Sequence, residues 1–160
     1  VQVTSYTRVK QKKDRYLTNV YLSSQLKKNI HEFDYIIIAC PLTNKTENLI
    51  NKDIIKKMKK TAVIINVARG GIVNEKDLYY ALKRKQIAGA IIDTWFKYPN
   101  SKLQNEFIPS SYRFDKLPNI IMTPHISAWS EGMIKRRSQI ISDNINRLYS
   151  NKKLINEIKF

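Results

Sequence analysis

The chain has 160 residues, 42% of them hydrophobic, which suits one domain with a sizeable core and leaves no room for a second complete one. No apolar run approaches the ~20 residues needed to span a bilayer, so no membrane partner is expected. The single cysteine, Cys40, excludes an internal disulfide or a Cys-cluster metal site and suits a reducing, cytoplasmic setting.

A formal charge of +16, from 29 Lys and Arg against 13 Asp and Glu, is a common footprint of nucleic-acid binders. Here the excess is mostly lysine spread along the chain, as at Lys56, Lys57, Lys59 and Lys60. No RNP-like aromatic pattern, zinc-finger spacing or basic-zipper heptad accompanies it, so solvated lysine faces are expected and nucleic acid is not.

Apolar runs alternate with helix-period segments, the pattern of β-α units around a parallel sheet. Val1 to Tyr6 reads as a short strand and Ser24 to His31 as a modest helix. Tyr35 to Cys40, "YIIIAC", reads as a fully buried strand ended by Pro41. Asn51 can cap a helix with Ile54, Ile55 and Met58 inward, and Ala62 to Val67 supplies the next strand. Asn74 caps a second helix carrying Leu78, Ala81 and Leu82, whose basic end, Lys83 to Lys85, suits the negative helix terminus. A strand follows over Ala88 to Asp93. After a polar loop from Pro99 to Leu117 comes the apolar "PNIIMTPH", and from about Ser130 to Ser150 an amphipathic helix presents Met133, Ile140, Ile141, Ile145 and Leu148.

In open parallel sheets ligands bind beyond the carboxyl ends of the strands. Those ends here are Thr7-Arg8, Cys40-Pro41, Val67-Ala68-Arg69-Gly70-Gly71, Asp93-Thr94-Trp95 and Thr123-Pro124-His125. An Arg, an Asp and a His on three strand ends can together bind an anion, fix a polar cofactor group and move a proton. Trp95 and Trp129 are expected in core or interface, with walls of the substrate pocket as the other reading.

The stretches "CPLTNKTENLINKDIIKKMKKTAVIINVARGGIVNEKDLYYAL", "AGAIIDTW" and "LPNIIMTPHISAW" resemble the D-isomer-specific 2-hydroxyacid dehydrogenases, in family order and spacing. The resemblance implies an α/β fold, a doubly wound Rossmann sheet with flanking helices, and hydride transfer between NAD or NADP and a small 2-hydroxy or 2-keto acid. It implies a division at residue 127: a partial nucleotide-binding domain over 1–127, and over 128–160 a helix and tail returning toward a substrate domain. Arg69 would bind the substrate carboxylate, His125 would be the acid/base, and Asp93 would hold the nicotinamide carboxamide. Val67, Ala68, Arg69 and the turn His125-Ile126-Ser127-Ala128 would line the nicotinamide, and Cys40, Pro41 and Thr46 the adenosine side. Gly70 and Gly71 are expected to let the chain turn sharply and to leave space beside the ligand.

Three departures from the family pattern carry expectations. The glutamate that pairs with the histidine should stand 29 positions after Arg69, where this chain has Tyr98. A carboxylate stabilises an imidazolium, whereas a phenol only orients the ring; an altered relay through Tyr98 is expected, a carboxylate from elsewhere such as Glu131 or weakened catalysis being the other outcomes. At the first strand end an acidic ribose ligand is replaced by Thr7 and Arg8, which favours NADP over NAD. No Gly-x-Gly-x-x-Gly occurs. The first β-α unit is therefore expected to be missing, leaving two half-sheets and a chain not competent alone, working as a homodimer or with a complementing N-terminal half. The alternative is a non-catalytic Rossmann-like remnant or interaction module.

Overall fold

The computed structural model describes residues 2–8, 14–99 and 108–157. The chain divides into two compact units, Val1–His125 and Ile126–Phe160. Among the described residues the first holds six strands and three short helices: β1 (Thr4–Thr7), β2 (Asn19–Leu22), α1 (Leu26–Asn29), β3 (Tyr35–Ile38), α2 (Lys52–Ile55), β4 (Val63–Asn66), α3 (Glu75–Lys83), β5 (Gly89–Ile92) and β6 (Ile120–Met122). The second holds α4 (Met133–Tyr149). No helix among the described residues is long and apolar enough to cross a membrane.

Two parallel sheets form, β1-β2 and β3-β4-β5-β6, the split expected from the sequence. In the larger sheet Ile36 pairs with Ile64 and Ile64 with Ala90, so alternate residues share one face. That face, with Ile38 and Ile92, is buried against Ile54, Ile55, Leu78 and Leu82 in the core. On the opposite face Tyr35 and Ile37 of β3 stay 68% and 66% exposed, so the strand expected to be fully buried is buried on one face only. β3 is an edge strand with one sheet neighbour among the described residues.

The asparagine caps act as expected. Asn51 Oδ1 accepts from the N–H groups of Asp53 and Ile54 at 3.1 and 3.3 Å, and Asn74 Oδ1 from Asp77 at 3.0 Å. Each satisfies amides that a helix start leaves unpaired. Asp77 in turn accepts the Lys52 N–H at 2.8 Å, tying α3 to the start of α2.

Three expectations about elements need correction. The helix expected over Ser24 to His31 is one α-helical turn between two 3-10 turns, Ser23–Gln25 and Ile30–Glu32, and no side chain caps its start. β2 is a strand the sequence does not announce; its ladder, Thr4 to Asn19 through Thr7 to Leu22, defines it. Strand bounds also shift: β1 starts at Thr4 and runs one residue past Tyr6 to Thr7, while β3 stops at Ile38 and β5 at Ile92, which puts Cys40 and Asp93 in the loops beyond. Val1 and residues 100–107 of the expected polar loop lie outside the described residues.

In the second unit α4 begins after Gly132, whose φ of 70° is the left-handed conformation glycine adopts freely. Ile140, Ile141, Ile145 and Leu148 lie along it, all exposed. Asn144 fastens the tail to α4, accepting the Ile155 N–H at 2.7 Å and donating to its carbonyl at 3.1 Å.

Candidate functional site

The carboxyl ends of β4, β5 and β6 lie side by side because the strands are parallel and adjacent. β4 ends in Asn66, 1% exposed, and a buried amide must find partners. It finds them in the next turn, accepting the Ala68 N–H at 3.1 Å and donating to the Arg69 carbonyl at 2.9 Å. Arg69 is thereby held extended, φ −150° and ψ 142°, with its guanidinium exposed and donating to the Ala68 carbonyl at 2.6 Å.

The glycines after Arg69 serve packing. A Cβ on Gly70 would stand 2.2 Å from the Trp95 carbonyl oxygen, so the loop after β4 presses directly on the backbone after β5. A Cβ on Gly71 would meet a Leu42 methyl at 3.3 Å. Neither glycine has a positive φ, so close approach is the reason for both.

Asp93 follows β5 and is 1% exposed. It accepts the Thr123 hydroxyl at 2.6 Å, and its own N–H donates to the Asn66 carbonyl at 3.0 Å. Thr123 follows β6, donates its N–H to Ile92, and accepts the Trp95 indole N–H at 2.9 Å. Asn66, not singled out in the sequence, and Thr123, named there only as a strand end, thus knit the three strand ends. Their signal was polarity inside or directly after an apolar run, where a buried polar group implies a bonding task.

His125 comes two residues after Thr123, in the left-handed region at φ 60°. Its Nδ1 lies 3.1 Å from the Tyr98 hydroxyl, and the two rings are tilted at a centroid distance of 5.7 Å. The residue at the glutamate's place therefore does meet the histidine. Glu131, the other partner considered, belongs to the second unit. Arg69 joins this group through backbone, by Gly70 against Trp95.

The remaining candidates are more dispersed. Thr46 closes its own loop, donating to the Pro41 carbonyl at 2.7 Å and accepting the Thr43 N–H at 2.8 Å. Cys40 is half-buried, and burial pushes its thiol up, so it stays neutral. Thr7 is half-buried at the end of β1, Arg8 exposed beyond it, Pro41 and Val67 exposed, and Ala68 half-buried. Ile126, Ser127 and Ala128 are exposed in the second unit. No group of three metal-ligating side chains occurs among the described residues.

Residues 1–127 match the family model described as D-isomer specific 2-hydroxyacid dehydrogenase, NAD binding domain. The chain belongs to this family. It is 38% identical over 116 residues to a glyoxylate reductase of Pyrococcus horikoshii, covering 72% of this chain and 32% of that protein. A D-lactate dehydrogenase from Lactobacillus jensenii, solved with NAD+, superposes with a TM-score of 0.84 at 27% identity, over 99% of this chain and 48% of that one. An NADPH-dependent glyoxylate/hydroxypyruvate reductase from Sinorhizobium meliloti, solved with NADP and malonate, superposes with a TM-score of 0.75 at 25% identity, over 99% of this chain and 46% of that one. The chain thus spans about a third of the length of the curated relatives it matches. What it carries of the 2-hydroxyacid dehydrogenase architecture is the nucleotide-binding, Rossmann-like portion, with parallel sheets and flanking helices.

Proposed function

We infer that these residues form the nicotinamide-nucleotide-binding part of an oxidoreductase that interconverts a small 2-keto acid and its 2-hydroxy acid. The observation that carries this reading is the succession of Arg69, Asp93 and His125 beyond three neighbouring parallel strands, with His125 already paired to a second polar ring.

The donor set fits a nicotinamide dinucleotide. Asp93 is a buried carboxylate just beyond β5, and a carboxylate is the kind of acceptor a carboxamide N–H needs. When bound, the nicotinamide supplies or takes up the hydride. Val67 and Ala68 would line it, with Cys40, Pro41 and Thr46 toward the adenosine. Thr7 and Arg8 offer donors and positive charge where an adenine ribose ends, which suits the 2′-phosphate of NADP and makes NADP the favoured cofactor over NAD. The 160 residues contain no Gly-x-Gly-x-x-Gly, so in this reading the pyrophosphate is held by other residues, of the same polypeptide or of a complementing one.

Arg69 does the substrate's anchoring. Its planar fork can take a carboxylate by two hydrogen bonds, which fixes the adjacent carbonyl in one orientation. Nδ1 of His125 is engaged by Tyr98, so the ring exchanges its proton with the carbonyl oxygen through Nε2. Residues 1–127 are assigned to dinucleotide binding and 128–160 to a helical extension toward a substrate domain, with a homodimer as the working assembly. The second reading, a non-catalytic module on the same scaffold, is favoured by Tyr98 standing where a carboxylate is expected.

Turnover of a 2-keto acid such as glyoxylate with NADPH and with NADH, by the full-length polypeptide that carries this sequence, separates the two readings. Reduction that is faster with NADPH is expected; no reduction with either cofactor, by a folded protein, supports the module. The 160 residues alone are expected to bind NADPH weakly, and micromolar affinity would contradict their incompleteness.

A further inference from the structure

We propose that Tyr98 is a positioning residue that, held by Trp95, donates its phenolic proton to His125 Nδ1 and so keeps the proton of the neutral ring on Nε2. Among the described residues the phenolic oxygen has two polar neighbours, the Trp95 backbone N–H at 3.4 Å and His125 Nδ1 at 3.1 Å. A backbone N–H can only donate, so toward Trp95 the oxygen is an acceptor. Its own O–H then has Nδ1 in reach, and the nitrogen that accepts a hydrogen bond in a neutral imidazole is the bare one. The reverse direction, with Nδ1–H donating, puts two donors on one oxygen and turns the hydroxyl proton out to solvent.

Trp95 fixes both partners of this contact. Its indole N–H bonds the Thr123 carbonyl at 2.9 Å, pinning the strand end from which His125 departs, while its backbone N–H holds the phenol. His125 itself sits at φ 60°, a region that non-glycine residues occupy at a cost when surrounding structure holds them there. A carboxylate at position 98 could only accept and would select the opposite tautomer. Tyrosine at this position is therefore a reversal of hydrogen-bond direction: the neutral ring already presents Nε2–H to whatever lies beyond it. The bearing on catalysis rests on the dehydrogenase reading; the tautomer does not, and the test needs neither cofactor nor turnover.

The chain contains two histidines, His31 and His125, so isotope labelling resolves both rings. Long-range proton–nitrogen correlation spectra of the 160-residue chain, in alkaline solution where imidazoles are neutral, read which nitrogen carries each proton. Nε2–H is expected to dominate at His125. In Tyr98→Phe the ratio of Nε2–H to Nδ1–H should fall roughly two- to tenfold, the net effect of one hydrogen bond, with His31 unmoved. In Tyr98→Glu it should invert toward Nδ1–H. A wild-type ring protonated on Nδ1, or an unchanged ratio in either folded variant, overturns the proposal.

Discussion

At the end of β4 two uncharged residues decide where a charged one stands. Asn66 satisfies Ala68 and Arg69 through one buried amide, so Asn66→Ala leaves both backbone groups and a small void uncompensated. About 1–3 kcal/mol of stability should be lost, seen as a lower urea midpoint with unchanged slope. Gly70→Ala and Gly71→Ala provide a sharper comparison. The first drives a methyl into the Trp95 carbonyl and should destabilise by roughly 2 kcal/mol or more, while the second meets only a movable Leu42 side chain and should cost far less. Equal midpoints for the two variants would contradict the close-approach account. At Cys40, burial holds the thiol neutral, so reaction with a disulfide reagent at neutral pH should be slow and should accelerate on unfolding. Much of the site was legible at this scale: counting from Arg69 reached Tyr98, and the structure brings it to His125. Asn66 and Thr123 were not, because their task is bonding between chain segments that only the fold makes neighbours.

Among the elements, those that bury a periodic apolar set were readable and those defined by a partner were not. α3 carries Leu78, Ala81 and Leu82 inward behind the Asn74 cap, and its local signals and packing agree. Asn74→Ala removes the cap bond to Asp77 and should cost about 1 kcal/mol by chemical denaturation, with the Lys52 contact of Asp77 weakened as well. An unchanged midpoint would mean that packing alone sets the start of α3. β2 shows the opposite case. Its four residues, Asn19 to Leu22, have no alternation and are half-exposed or exposed, and only the ladder to β1 makes them a strand. Within the Ser24 to His31 segment no N-cap side chain caps the α-helical turn and the segment breaks into turns, since a short helix without such a cap or a long apolar face is marginal.

For the molecule as a whole, the strong positive charge comes mostly from lysine, and the proposed chemistry is assigned to the strand ends. One charge has a defined consequence: if Arg8 faces the 2′-phosphate, Arg8→Ala in the full-length polypeptide should lower the NADPH over NADH preference by about tenfold, the scale of one charge-assisted hydrogen bond. The split into two parallel sheets was legible because the doubly wound strand order puts its first strand between the two halves. The proposed role of Arg69 as the carboxylate anchor is tested most directly by kcat/KM for glyoxylate reduction in Arg69→Ala of the full-length polypeptide. A fall of about a hundredfold or more is predicted, with NADPH affinity within about twofold of the parent. Unchanged kcat/KM in the folded variant would contradict it.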